Sequence, residues 1–347
     1  MPPTTTSSDR TRATGQFRHE ALLYSGARQF AEDTAAFTRE ALSAGEAVMV
    51  AVIEPRAGLL RRELGADARE VRFIDMERVG RNPARIIPAW QDWVDEQTAA
   101  GRAFRGIGEP VWVGRGVAEI VECHLHEDLL NTAFDLGPAW RLLCPYDTSS
   151  LDRTDIERAH RTHPVVRDRV AGRRDSLVPH EDPQRDAAFG NAASVNAALD
   201  DTAVSDAAFT VALPEPAGAL LAETAFTVDD LYRLRRLIEG HAGAAGLDAH
   251  GVEGLLLAVN ELTTNSVVHG GGSGRLRLWL DAREMICEIR DRGLIDDPLV
   301  GRVRPRGAAR GGAGLWIANQ ICDLVRIRSV PGIGTTVRVH VGLDARA

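Results

Sequence analysis

The sequence predicts two α/β domains. The first is built on a mainly parallel sheet, and the second is an α/β sandwich with helices on one face of a mostly antiparallel sheet. Three observations carry this. The chain has 347 residues, more than a single hydrophobic core usually serves. Strands alternate with helices through the first half, which is the order a parallel sheet requires. An aperiodic stretch rich in Pro, Asp, Arg, Gly and Ser then leads to a segment in which helices come first and paired strands follow.

Residues 1–16 read as a disordered, solvated tail. In the first domain, 17–170, short apolar runs at 21–24, 47–53, 71–74, 104–113 and 140–144 are strands. The run 47–53 (AVMVAVI) is apolar throughout, as a strand buried on both faces must be. Helical spacing marks 28–43, 55–64, 83–100, 117–134 and 152–160. Residues 171–213 are the linker, with a short Ala-rich helix at 192–199. In the second domain, 214–345, the pattern predicts a strand at 223–228, helices at 229–246 and 252–269, and strands at 275–280 and 285–290. A helix at 315–321 and strands at 324–329 and 335–341 complete it.

Composition narrows the function. Hydrophobic residues make up 44% and charged residues 26%, so both halves can bury a core. The net charge of −8 argues against general nucleic-acid binding. There is no lysine, so all 41 basic residues are arginine. A Walker A loop, the strand lysine of ordinary protein kinases and Schiff-base catalysis are thereby excluded. No run of about 18 apolar residues suggests a membrane span, and the N-terminus lacks the apolar core of a secretory signal. Four scattered cysteines without a CxxC pair fit buried thiols in a reducing compartment. A cytoplasmic location is expected.

The chemistry concentrates in four elements of the second domain. Glu261, Asn265 and His269 recur every four residues and share one helical face. An amide and a carboxylate one turn apart can serve a metal-bound phosphate, though a solvated helix face would look the same. Asp291-Arg292-Gly293 ends an apolar strand, where a carboxylate can accept from an exocyclic amine and a glycine admits a flat ligand. Arg310-Gly311-Gly312-Ala313-Gly314-Leu315 runs straight into a helix, exposing backbone N–H groups to an anion. Gly334-Thr335-Thr336 opens a strand with two hydroxyls.

In their order and spacing these four elements resemble the N, G1, G2 and G3 boxes of the GHKL (Bergerat-fold) ATPases. The Glu-x3-Asn-x3-His-Gly spacing and the short lid look most like the anti-sigma-factor serine kinases. The resemblance spans about 214–345 and implies ATP and Mg²⁺ as cofactors. It implies that Asn265 holds Mg²⁺, that Asp291 contacts adenine, and that Gly312, Gly314 and Leu315 wrap the phosphates. His269, Gly293, Thr335 and Thr336 complete the implied binding set, and Glu261 is the implied general base. Histidine kinases share these boxes, but His241 sits at the end of its helix rather than in the middle of a long dimerising hairpin.

The pieces Gly108-Glu109-Pro110, Glu122 to Glu127, Cys144 to Asp147 and His160 to Pro164 resemble, in that order, the MEDS sensory domain. That is a RecA-like module without an ATP loop, thought to sense small organic molecules. The resemblance spans about 17–170. Histidines 19, 124, 126, 160 and 163 raise the question of a metal site. Helical spacing puts His124 and His126 on opposite faces, and Pro164 disfavours helix at His163. A pocket at the C-terminal ends of the strands is the preferred reading. His19, Tyr24, Glu109, Trp112, His126, Tyr146 and Asp147 are its candidates, with the aromatics as plain core and the polar groups as caps the alternative.

Together these features suggest a sensory anti-sigma regulator. By resemblance it phosphorylates a serine on an anti-sigma-factor antagonist and holds a sigma factor, under control of a small organic ligand at the N-terminal domain. A non-catalytic ATP-binding partner switch is the alternative. No direct contact with nucleic acid or membrane is expected, and oligomeric state is left open, a homodimer included.

Overall fold

The computed structural model describes residues 17–168, 209–305 and 312–343. The tail at 1–16 and the linker helix at 192–199 lie outside the described residues.

The N-terminal domain runs β1 (Arg18–Tyr24), α1 (Gly26–Ser43), β2 (Ala47–Val52), α2 (Glu54–Leu64), β3 (Val71–Asp75), α3 (Met76–Val79), α4 (Ile86–Ala99), β4 (Phe104–Gly108), α5 (Val117–Phe134), β5 (Arg141–Asp147), α6 (Arg153–Thr162) and β6 (Val165–Asp168). Its six strands lie in the order β3-β2-β4-β5-β1-β6, and every pairing is parallel. Alternate strand residues face opposite layers, as a two-residue period requires. Leu22, Val48, Val50, Ile107 and Leu143 pack beneath α1 and α2 with Phe30 and Leu60. Ala21, Met49, Ala51, Leu142 and Cys144 face α4 and α5 with Trp90, Leu125 and Leu129. Burying a Leu or Phe side chain stabilises by about 1.5–3 kcal/mol.

Two elements were not expected from the sequence. The one-turn helix α3 is held by the Asp75 carboxylate, which accepts from the Glu77 N–H at 2.9 Å. Strand β6 follows Pro164 and pairs with β1 at the sheet edge. The helix expected at 83–100 opens instead as a 3₁₀ turn, Pro83–Arg85, capped by Asn82.

The C-terminal domain runs β7 (Ala219–Thr227), α7 (Leu231–Ala244), α8 (Ala249–Val268), β8 (Ser273–Leu280), β9 (Glu284–Asp291), α9 (Ala313–Ile321), β10 (Leu324–Val330) and β11 (Gly334–Gly342). Its five strands follow the order β10-β11-β9-β8-β7, with every pairing antiparallel. This is the expected α/β sandwich. In the β9–β11 register Thr335 lies opposite Asp291, which brings two sequence-distant candidates together.

The two domains touch. Glu122 of α5, fully buried, meets Arg302 at 2.9 Å, Arg328 at 2.6 Å and Arg326 at 3.4 Å, all from the C-terminal domain. The Asn82 amide donates to Asn319 at 3.0 Å, and the Arg85 guanidinium reaches the Asn319 and Cys322 carbonyls.

Candidate functional site

Helix α8 supplies one wall of a cleft. Asp248 caps its start by accepting from the Gly251 N–H, and Leu255, Leu256, Val259, Leu262 and Ser266 bury one face. That leaves Glu261 and Asn265 half-buried on the neighbouring stripe, with His269 exposed at the helix end. The Asp291 carboxylate lies at the end of β9 and is fixed on both oxygens. The Ser266 hydroxyl donates to it at 2.6 Å and the Gly293 N–H at 2.8 Å. A β-carbon at Gly270 would lie 2.4 Å from Asp291 Cγ, so only glycine lets the α8 terminus close on this carboxylate. Thr335 donates to the Gly293 carbonyl at 2.9 Å and sits 2.8 Å from the Ser329 hydroxyl.

The opposite end of the cleft is formed by the start of α9. Gly312 adopts a left-handed φ of 84° ahead of the first turn. A β-carbon at Gly314 would lie 3.0 Å from both Asn265 Nδ2 and Glu261 Oε2. The free N–H groups of the α9 terminus therefore lie beside an amide and a carboxylate, a setting for a polyanion carrying a divalent cation.

The cleft is open to solvent on one side and holds a cavity of about 60 Å³. Leu262, Ile289, Leu294, Ile295 and Val337 give it apolar walls, and Asp291 gives it an acceptor. A flat heteroaromatic ring with an exocyclic amine matches that slot. Asn265, His269, Asp291, Gly293, Leu315 and Thr335 line the cleft, while Glu261, Gly312 and Gly314 belong to its α9 end. Thr336 is not among the lining residues; strand alternation turns it to the other face from Thr335. Ser266 and the apolar walls were not picked out from the sequence. Ser266 follows Asn265 directly, so its placement beside Asp291 depends on how the helix meets β9.

The N-terminal candidates fall into two groups rather than one pocket. Tyr24, Glu109 and Asp147 meet at the C-terminal ends of β1, β4 and β5. The Tyr24 hydroxyl donates to Glu109 at 2.9 Å, and Arg56 lies 2.8 Å from Asp147 and 3.7 Å from Glu109. Burial pushes the Glu109 carboxyl up to about 7, against the pull of Arg56 and Tyr24. Its Oε2 has no hydrogen-bond partner. Burial and the Glu109 charge push the Tyr24 hydroxyl up as well.

His19, His126 and Tyr146 belong to the second group, within the layer between the sheet and α5. All three are almost fully buried, so they are interior residues and not the rim of an open pocket. Burial holds His126 down to about 3, so its ring is neutral. Trp112 is half-buried under the Arg115 guanidinium, 3.7 Å from its ring centroid. Of the other histidines, His124 pairs with Asp155 at 3.0 Å and His160 is exposed.

Two family models match the chain. Residues 18–164 match the family model of the MEthanogen/methylotroph, DcmR Sensory (MEDS) domain. Residues 224–341 match that of the histidine kinase-like ATPase domain. Among curated proteins none matches the chain. The chain also aligns with the structure of the RsbU and RsbW domains of Rv1364c from Mycobacterium tuberculosis, at 18% identity and a TM-score of 0.27. It covers 36% of this chain, and the chain spans about a third of that structure's length, 34%. Among the described residues no helix is long and apolar enough to cross a membrane. The chain therefore carries a MEDS sensory domain at its N-terminus and a histidine kinase-like ATPase domain at its C-terminus.

Proposed function

We propose that this protein is an anti-sigma regulator whose C-terminal domain binds ATP·Mg²⁺ and phosphorylates a serine on an anti-sigma-factor antagonist. The observation that carries the proposal is the convergence at one end of the cleft. Glu261, Asn265 and the α9 terminus meet there, with Asp291 held at the other end. When bound, ATP·Mg²⁺ supplies the transferable phosphoryl group and the metal's charge. Asn265 offers a hard oxygen to the metal. Asp291 orients the base through its acceptor, and the Leu262 and Ile289 walls exclude water from the ring. Glu261, beside Asn265, accepts the proton from the attacking serine hydroxyl. The same domain holds a sigma factor in exchange for the antagonist, and a small organic ligand at the N-terminal domain biases that exchange.

The histidine-kinase reading has little support. His241 lies near the end of α7, and α7 packs on α8 within the domain.

The test is phosphoserine formation on antagonist proteins from the same genome, with ATP affinity measured in parallel. Glu261→Gln keeps ATP binding and lowers transfer by roughly 10²–10⁴-fold, the usual range for a positioned base. Asn265→Ala loses Mg²⁺-dependent binding. Wild-type protein that binds ATP and partner but never forms phosphoserine is instead a non-catalytic switch.

A further inference from the structure

His19, Glu127, Cys144 and His163 come from four separate elements and meet in the buried layer of the N-terminal domain. One ligand-type atom from each lies within 4.8 Å of all the others. Glu127 Oε2 is 3.1 Å from His19 Nε2 and 3.0 Å from His163 Nε2. Cys144 Sγ is 3.3 Å from His19 Nε2. All four residues are buried.

The surrounding hydrogen bonds fix the tautomers. His163 Nδ1 lies 2.8 Å from the Ala159 carbonyl, which can only accept, so Nδ1 carries the proton. The Asn131 amide donates its Nδ2 to the Thr162 carbonyl at 3.0 Å, which turns its Oδ1 toward His19 Nδ1 at 3.2 Å. His19 Nδ1 is therefore also protonated. With each Nδ1 bonded outward, both Nε2 atoms point inward, at a carboxylate oxygen and a sulfur. Among the described residues Glu127 pairs with no arginine; its neighbours are the His19 and His163 rings and the Tyr146 hydroxyl. Electron-rich atoms about 3 Å apart in a dry interior repel unless a proton or a metal ion sits among them.

We propose that these four side chains bind one Zn²⁺-class transition-metal ion. Donors around a tetrahedral Zn²⁺, with bonds of about 2.0–2.3 Å, are separated by roughly 3.3–3.8 Å. The three separations above need only a small relaxation to reach that. Two neutral imidazoles, a thiolate and a carboxylate sum to −2, which a divalent ion cancels, so the loaded site is neutral where a net charge would be costly. A thiolate with two imidazoles selects zinc over magnesium or calcium. Asn131 and the Ala159 carbonyl are the outer partners that orient liganding histidines. With four protein donors no position stays open, so the ion ties β1, α5, β5 and the end of α6 together.

The test uses the full chain, purified without an affinity metal or chelator. One equivalent of zinc per chain is expected by mass spectrometry. Replacement with Co²⁺ should give tetrahedral d–d bands and a thiolate-to-cobalt charge-transfer band. Cys144→Ser should abolish that band, and His163→Gln should lower metal affinity by more than about 100-fold. Asn131→Ala, which touches no metal, should lower it by about 10–100-fold. Wild-type protein that takes up neither Zn²⁺ nor Co²⁺ overturns the proposal; the cluster is then held by protons alone. A cobalt charge-transfer band that persists in Cys144→Ser also overturns it, since the metal would lie elsewhere. The wild-type measurement can refute the site by itself, whether or not the variants fold.

Discussion

At the scale of single residues, Glu109 shows what burying a carboxyl costs in stability. It lies at the strand ends among Tyr24, Arg56 and Asp147, with one oxygen unpartnered. Its folded value of about 7 stands above the 4.5 of an open chain. A raised value contributes stability that is complete below pH 4.5 and lost as pH rises through 7. The difference amounts to about 3 kcal/mol at full burial. His126, held down to about 3, slopes the other way and partly offsets it between pH 4.5 and 6.5. The comparison that isolates Glu109 is therefore variant against wild type. Glu109→Gln keeps an acceptor for Tyr24 and should gain on the wild type by up to about 3 kcal/mol between pH 5 and 8. Urea denaturation at both pH values measures this, and a gap independent of pH would show that Glu109 titrates normally. Asp291 allows a second residue-scale prediction. Asp291→Ala should weaken ATP and ADP alike, because adenine is common to both; a variant that loses ATP but keeps ADP affinity would place this carboxylate at the phosphate end instead.

At the scale of elements, the start of α9 is set by contact and not by propensity. Alanine ordinarily favours a helix over glycine by about 1 kcal/mol. At Gly314, however, a β-carbon would press on Asn265 and Glu261 at 3.0 Å. Gly314→Ala should therefore leave thermal stability unchanged or raised while lowering ATP affinity about tenfold or more. Calorimetric titration beside a melting curve separates the two effects, and unchanged affinity would show that α9 can shift without cost. The same element shows what was legible in the sequence. Periodicity located α5, α8 and the buried strand β2 because each repeats one burial pattern over many residues. The i, i+4 spacing of Glu261, Asn265 and His269 was visible for the same reason. The four-residue strand β6 and the single turn α3 are too short for any period, and exist through pairing with β1 and capping by Asp75. The pairing of Ser266 with Asp291 and the meeting of His19 with His163 are tertiary. The sequence showed those histidines but not that β1 and the end of α6 converge, so helical spacing judged His124 and His126 and missed the pair that meets.

At the scale of the whole molecule, α5 links the two domains. It carries Glu127 into the buried layer of the sensory domain and, about one and a half turns earlier, Glu122 into the domain interface. There one carboxylate faces three guanidiniums, and Arg302 Nε and Nη1 have no partner. Burial alone would push the Glu122 carboxyl up, but Arg328 and Arg302 outweigh it and hold the group below its ordinary value. An interface with excess buried positive charge gains little from staying closed, because the guanidiniums recover hydration when it opens. Arg302 lies between Asp291 and Gly312, the stretch that leads from the base end of the cleft to α9. A change at Glu122 is therefore expected to reach the cleft, provided that a ligand or metal at the N-terminal domain binds two arrangements unequally. Glu122→Gln keeps the shape and removes the charge that draws the three arginines in. The variant should open the domains, seen as a larger radius of gyration by solution scattering, with each domain still folded. ATP affinity should change by at least about fivefold, the lower end of ordinary coupling between sites. Opening without a change in affinity would make the interface a tether that carries no signal. Unchanged scattering and unchanged affinity together would show that Asn82, Arg85 and their Asn319 contacts hold the domains without Glu122.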